Sequence, residues 1–307
     1  MSEKIAVLIP CYNEAITIRD VISSFRKELP EAAIYVYDNN SQDKTIEMAK
    51  KAGAIVRTEE RQGKGHVVRR MFADVEADIY VMIDGDATYH APSVGKLIQK
   101  LKLENLDMVV GCRKASEKES YRSGHRFGNK LFTIFVSLLF GQAFSDILSG
   151  YRVFSRRFVK TFPCVSGGFE IETELTIHSL DMLLPVGEVD TPYGVRPDGS
   201  ESKLSTYTDG LRILRMIFLL AKEIRPFVFF GGLALLCTLL SLGTGIPVIL
   251  DYFETGLVAR FPTAILSTGL MIIAFLCFFS GIILDSLSRG RKEHKKLQYL
   301  SYKPLGE

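Results

Sequence analysis

Short apolar runs alternate with segments of helical spacing along roughly the first two thirds of the chain, and each run gives way to polar residues. Residues 4–10 (KIAVLIP) read as a strand ended by proline, and residues 13–29 follow with Ile18, Val21, Ile22, Phe25 and Leu29 on one helical face. The alternation continues with strand 32–38, helix 41–53 (capped by Ser41, stopped by Gly53), strand 54–59, helix 65–75, strand 79–84, helix 91–102 and strand 107–113. Nearly all-apolar strands separated by helices predict an α/β fold, a parallel sheet covered on both faces. Ligands on such sheets bind beyond the carboxyl ends of the strands. Four strand ends are polar here: PCYNE (10–14), DNNSQD (38–43), DGD (84–86) and CRK (112–114). Together they outline one cleft.

The pattern changes towards the C-terminus. Residues 227–250 and 263–284 contain no charge, and each reaches the roughly 20 residues that a helix needs to cross a bilayer. Soluble helices seldom run so long without a polar stripe, so a membrane hairpin is expected rather than a pair of core helices. Basic residues gather outside it, at Lys222 and Arg225 and in the segment 288–304, and not in the polar turn 251–262; both termini are therefore expected on the cytoplasmic side. Residues 121–141 begin with Arg122, His125, Arg126 and Lys130 and then turn apolar, and residues 208–226 mix basic and apolar positions. Both suit helices lying in a membrane interface, with buried core helices as the alternative.

Composition narrows the picture a little. The 307 residues suffice for one sizeable domain with an appendage, and the net charge of +3 gives no reason to expect a nucleic-acid partner. Residues 1–14 have no long apolar core, so no signal peptide is expected. The five cysteines follow no disulfide or zinc spacing and read as packing thiols in a reducing compartment.

Asp84 and Asp86 stand two positions apart where the apolar run leaves the interior, and like charges so close require a positive partner. Asp-x-Asp on a loop suits a hard ion such as Mg2+ or Mn2+, which shares its remaining coordination sites with water and phosphate oxygens. The pair is read as a metal grip and, through the metal, a diphosphate site; a solvated turn is the alternative.

The strings LIPCYNE, YDNNSQDKT, RQGKG and MIDGDATY, in this order and spacing, resemble the N-terminal half of a family 2 glycosyltransferase of the GT-A fold. DILSGYRVFSRR and RPDGSESKLS, followed by two apolar segments, narrow the resemblance to the polyprenyl-phosphate glycosyltransferases, relatives of dolichol-phosphate mannose synthase and bactoprenol glucosyl transferase. The resemblance implies a Rossmann-like, mostly parallel sheet in a cytoplasmic domain over 1–207, a juxtamembrane helix 208–226, a transmembrane hairpin 227–288 and a basic cytoplasmic tail 289–307. It implies inverting, Mg2+- or Mn2+-dependent transfer from a nucleotide-diphosphate sugar to the phosphate of a polyprenyl phosphate in the cell inner membrane, for envelope glycosylation. A UDP-sugar is favoured over GDP-mannose as donor, and a homo-oligomer is expected.

Residue by residue, the resemblance assigns Pro10, Tyr12, Glu14 and Asp38 to the donor's base and ribose, and places Asn13 and Asn40 among the nucleotide-sugar-binding residues. Lys64, Gly85, Arg113, Arg196 and Lys203 would meet the rest of the donor, with Arg196 and Lys203 on a mobile loop. Asp84 and Asp86 would hold the metal with Thr88 beside them, where the family often has glutamine. Arg126, or Arg122, would anchor the acceptor phosphate, positioned by Asp146 and Arg152. The family commonly has two acids where this chain reads YDNNS, so Asp38 alone supplies that carboxylate.

Plainer alternatives stand beside these. Asn13 and Glu14 suit a helix start, Lys64 a solvated glycine loop, and Asp146 and Arg152 a cap or salt bridge. Glu170 and Glu174 are read as helix-start acids, because an ionised phosphate acceptor needs no general base. A processive synthase would need a Gln-x-x-Arg-Trp motif, and the chain has no tryptophan. A membrane-anchored transferase for a soluble acceptor, or a non-catalytic lipid-binding scaffold, leaves either the basic segments or the acidic loop without a purpose.

Overall fold

The computed structural model describes residues 3–115, 144–168, 170–197, 222–223 and 225–306. The chain divides into two compact units, Met1–Ile213 with Lys296–Glu307, and Leu214–Lys295. The expected interfacial segment 121–141, most of the segment 208–226, and Arg122, Arg126 and Lys203 lie outside the described residues.

Seven strands form one sheet in the first unit: β1 (Ile5–Cys11), β2 (Ala33–Asp38), β3 (Ile55–Thr58), β4 (Ile79–Met82), β5 (Met108–Ala115), β6 (Arg152–Ser155) and β7 (Val186–Tyr193). Their order is β3-β2-β1-β4-β6-β5-β7. The first four pair in parallel, as does β5 with β7, whereas β6 runs antiparallel to both β4 and β5. The sheet is thus mostly parallel, as expected, with antiparallel β6 separating β4 from β5 at its centre. Central strands β1 and β4 are buried almost throughout, which is why they read as continuous apolar runs; β6 is buried as well, although it carries Arg152 and Ser155.

Helices α1 (Ile18–Glu28), α2 (Thr45–Lys51), α3 (Lys64–Asp74), α4 (Val94–Leu103), α5 (Arg156–Thr161) and α6 (Ile171–Asp181) pack around it. α1 buries Ile18, Val21, Ile22 and Phe25, the face that its spacing predicts. α2 starts later than expected. Asp43, not Ser41, accepts the Thr45 N–H (3.0 Å), while the Ser41 hydroxyl accepts the Asn13 N–H (2.9 Å). Gly53 does stop α2, with φ +82°. α6 has no polar face: Ile171 through Leu180 are all buried, Glu172, Glu174 and His178 included.

In the second unit, α7 (Pro226–Thr255) and α8 (Phe261–Leu300) are both long and apolar enough to cross a membrane. Only 22% and 11% of their apolar windows are buried, so most of that apolar surface faces outward. They pack antiparallel. Ser241 donates to the Ser267 carbonyl (2.8 Å), and Gly281 brings its backbone against Phe227 and Phe230. Gly256, at φ +70°, ends α7, so the loop is shorter than the expected turn. α8 continues unbroken through most of the segment read as a tail.

Candidate active site

Three of the polar strand-end loops hold a non-glycine residue in left-handed backbone: Asn13 after β1 (φ +53°), Asn40 after β2 (φ +65°) and Ala87 after β4 (φ +57°). Such strain persists only where surrounding bonds over-determine it. The loops supply those bonds. Asn13 and Glu14 donate their backbone N–H groups to the hydroxyls of Ser41 and Thr45 (2.9 and 2.8 Å), and the Gln42 N–H donates to Asn13 Oδ1 (2.7 Å). Thr17, at the start of α1, donates its hydroxyl to the Gly85 carbonyl (2.6 Å). A Cβ on Gly85 would lie 2.8 Å from Cys11 Sγ, so the DGD loop can sit this close only with glycine.

Sheet register sets Asp38 beside Cys11 at the ends of β2 and β1. Asp38 is 1% exposed; its Oδ2 accepts the Ser41 N–H (3.0 Å), and its buried Oδ1 has no hydrogen-bond partner among the described residues. A buried carboxylate oxygen without a donor is costly and marks a place where a ligand N–H or water fits. Its neighbours are struts. Asn39 donates to the carbonyls of Glu59 and Arg61 and accepts from Gly63, and Asn40 donates to Glu60 (2.6 Å). Pro10 is buried in β1, Tyr12 half-buried, and Glu14 is 8% exposed.

After β4, Asp86 is 3% exposed and fully engaged. Its Oδ1 accepts from the Thr88 N–H (3.2 Å) and hydroxyl (2.6 Å), and its Oδ2 pairs with Arg196 (2.6 Å). Arg196 gets there because the Gly194 N–H, just past β7, bonds the Thr88 carbonyl (2.8 Å). Thr88 thus orients Asp86. Asp84 pairs with Lys64, which also pairs with Glu172 (2.5 Å). Burial opposes the charge on Lys64, but the Asp84 and Glu172 carboxylates outweigh it and raise its pKa above the ordinary lysine value. Lys64 is therefore a cation between two acids, and neither solvated nor mobile.

Glycines make this possible. A Cβ on Gly150 would fall 2.5 Å from Asp84 Oδ2. A Cβ on Gly65 would fall 2.0 Å from the Ser166 carbonyl oxygen, and one on Gly63 2.1 Å from that of Gly167. The glycines flanking Lys64 thus serve contact with the 166–168 loop, which Glu174 holds through the Val165 and Ser166 N–H groups (2.7 Å each). Gly65→Ala is expected to destabilise the full chain by about 2–3 kcal/mol through overpacking against backbone. Thermal unfolding in detergent measures it; an unchanged midpoint would contradict this packing.

Arg113 and Asp146 meet each other. The guanidinium forks onto both carboxylate oxygens (2.7 Å each) and lies 5.5 Å from the centre of the Tyr193 ring. Tyr193 packs on Tyr89, whose hydroxyl accepts the Gly150 N–H (2.8 Å). Arg152 is the clear departure from expectation. It is 0% exposed and donates to the carbonyls of Ile147 (2.6 Å), Ser149 (2.9 Å) and Glu172 (3.0 Å) and to the Thr176 hydroxyl (3.0 Å). An acceptor phosphate cannot reach it; Arg152 is an internal brace between the 146–150 loop and α6.

Hard-oxygen donors fit a divalent cation here. Asp84 keeps 27% of its side chain exposed beside Asp86, and among the described residues no third His, Cys, Asp or Glu joins them. A Mg2+ or Mn2+ held by two protein carboxylates completes its shell from phosphate and water, as these ions usually do. Glu172 was not singled out for this site from the sequence; an acid in the first turn of a helix gives no signal beyond favourable helix electrostatics.

Comparison with known proteins identifies the family and the fold. The family model described as glycosyl transferase family 2 matches residues 6–162. The chain is 34% identical over 301 residues to glycosyltransferase AglJ of Haloferax volcanii, covering 97% of this chain and 98% of that protein. It is 27% identical over 223 residues to a dolichyl-phosphate hexose transferase of the same organism, covering 73% of this chain and 96% of that one. Among solved structures, glucosyl-3-phosphoglycerate synthase from Mycobacterium tuberculosis in complex with Mn2+, UDP and phosphoglyceric acid superposes with TM-score 0.58 at 26% identity, over 72% of this chain and 78% of that one. The sheet and its helices have the GT-A fold.

Proposed function

The chain belongs to glycosyl transferase family 2, and we propose that it transfers one sugar from a UDP-sugar to the phosphate of a membrane polyprenyl phosphate, with inversion at the anomeric carbon. One observation carries the reading: the paired carboxylates Asp84 and Asp86 stand at the end of β4 in a chain that also has two exposed, membrane-length apolar helices. The relative named as a dolichyl-phosphate hexose transferase and the neighbour solved with Mn2+ and UDP support the acceptor and donor classes.

Asp84 and Asp86 would hold Mg2+ or Mn2+, whose chemistry is to neutralise the charge developing on the leaving diphosphate. Asp38 offers its unpartnered Oδ1 to the imide N–H of the base, while Asn39 and Asn40 keep the 59–63 loop closed beside it. Lys64 and Arg196, already on the two carboxylates, would be cations for the diphosphate oxygens. The acceptor phosphate is ionised at neutral pH, so no side chain needs to take its proton, and attack opposite the leaving group inverts the centre. Arg122 and Arg126 would meet that phosphate, and Lys203 the donor. Both apolar helices would span the membrane with the catalytic unit on the cytoplasmic side.

The test is direct. Full-length protein in detergent, with Mn2+ or Mg2+ and polyprenyl phosphate, is given a panel of UDP- and GDP-sugars and the lipid is weighed. A gain of one glycosyl residue from a UDP-sugar is the expected product. A gain of a sugar phosphate, or no lipid product from any donor, would sink the reading.

A further inference from the structure

We propose that the outward face of α8 around Gly290 is a binding site for one anionic phospholipid, its headgroup phosphate held by Arg291, His294 and Lys295 and an acyl chain laid along Ile283 and Leu287. The proposal rests on the reading of α7 and α8 as membrane spans, and all of these residues belong to the second unit, Leu214–Lys295.

A groove runs along this face of the helix, lined by those residues. Two rows build it. Ile283, Leu287, Arg291 and Lys295 stand four residues apart, so their side chains follow one line along the helix. Gly290 and His294 make a second line beside it. A Cβ on Gly290 would meet nothing within 4 Å, so the glycine leaves a notch with the cations at its lip. On the N-terminal side of the notch the lining is apolar and bare, with Ile283 67% and Leu287 57% exposed. On the C-terminal side Arg291 and His294 are exposed and Lys295 is half-buried.

Charge and position select the occupant. Among the described residues no carboxylate pairs with Arg291, His294 or Lys295, and none lines the groove. Asp285, nearer the apolar end, is taken by Arg289 (2.7 Å). Cations beside bare apolar surface suit a ligand with an anionic head and a hydrocarbon tail. Arg291 stands about 6 Å along the axis from Leu287, which matches the step from hydrocarbon to headgroup at the edge of a bilayer. A guanidinium forks onto two phosphate oxygens, and Lys295, one turn on, adds a point charge to the same group. A zwitterionic lipid would bring its own cation into this cluster and bind less well. A water-soluble acidic partner would leave Ile283 and Leu287 uncovered.

A neutral detergent removes the surface charge of a bilayer, so lipid retained there by the full-length protein reports contact. Native mass spectrometry with equimolar phosphatidylglycerol and phosphatidylcholine of matched chains should show phosphatidylglycerol retained about fivefold or more over phosphatidylcholine. Arg291→Gln should remove most of that preference. Lys292→Gln deletes the same charge about 200° around the helix from Gly290 and should keep the preference within about twofold. Gly290→Phe changes no charge but fills the notch, and should lose the preference as Arg291→Gln does. Equal losses in Arg291→Gln and Lys292→Gln would point to general surface charge and overturn the site, and so would a Gly290→Phe variant that binds as wild type does. A second copy of the chain seated on this face would show as oligomer mass lost in Gly290→Phe with lipid retention unchanged, which also overturns it. Release of the chain from membranes by alkaline carbonate brings down the spans and the site together, whereas a chain that stays in the membrane and shows no lipid preference loses the site alone.

Discussion

Turnover of an Asp86→Asn variant is expected to fall by about 10²–10³-fold, or roughly 3–4 kcal/mol of transition-state stabilisation. The exchange keeps size and removes one charge. Asp86 has two demands on it: Thr88 donates to one oxygen and Arg196 to the other. An amide can satisfy only one of those directions with oxygen, so its nitrogen faces either the Thr88 N–H or a guanidinium. The site also loses half of its anionic grip on a divalent cation. Initial rates at saturating Mn2+ and donor measure the loss, and an unchanged unfolding midpoint shows that it is chemical. A variant retaining half of the wild-type rate would exclude the paired-acid reading. A non-catalytic scaffold would be indifferent to the change.

Arg152→Met is expected to destabilise the protein by about 3–5 kcal/mol, the usual cost of breaking a buried charged network from one side. Methionine fills most of the volume but leaves the carbonyls of Ile147, Ser149 and Glu172 without their donor. Burial pushes the Arg152 pKa down to about 10, so the side chain stays charged at neutral pH and its partners matter. Activity should fall with stability, because the same loop carries Gly150 against Asp84 and Asp146 against Arg113. Denaturant midpoint and acceptor KM are the two readouts. A stable variant with a raised KM for the lipid would return Arg152 to the acceptor site.

Those residues also show how far the sequence could be read. Asp84 and Asp86 were legible because an apolar strand ends on them, and a strand end in an α/β sheet is where ligands bind. Asp38 was legible for the same reason. Arg152 and Arg113 were not separable: both follow apolar residues beside glycine or cysteine, and only the fold shows that one is sealed inside while the other forks onto Asp146. Glu172 was missed because α6 is buried on every side, so its sequence has no polar stripe to set off an unusual acid. The glycines around Lys64 announced a close approach, but the approaching group is the 166–168 backbone, a hundred residues downstream and out of range of any local pattern. β6 was missed because four residues carrying an arginine do not read as a central strand.

That late strand governs how the chain must assemble. As synthesis proceeds, β1 to β4 can zip together in parallel with nothing but their own helices to cover them. The outer edge of β4 then stays unpaired, four buried residues long, while β5 and the whole intervening stretch are made, because its neighbour comes from Arg152–Ser155. Non-local pairing of this kind is slow, and an open apolar edge invites pairing with another chain in the meantime. The half-made protein is therefore the aggregation-prone species, and overexpression should be limited by the delay between those two strands more than by the stability of the finished sheet.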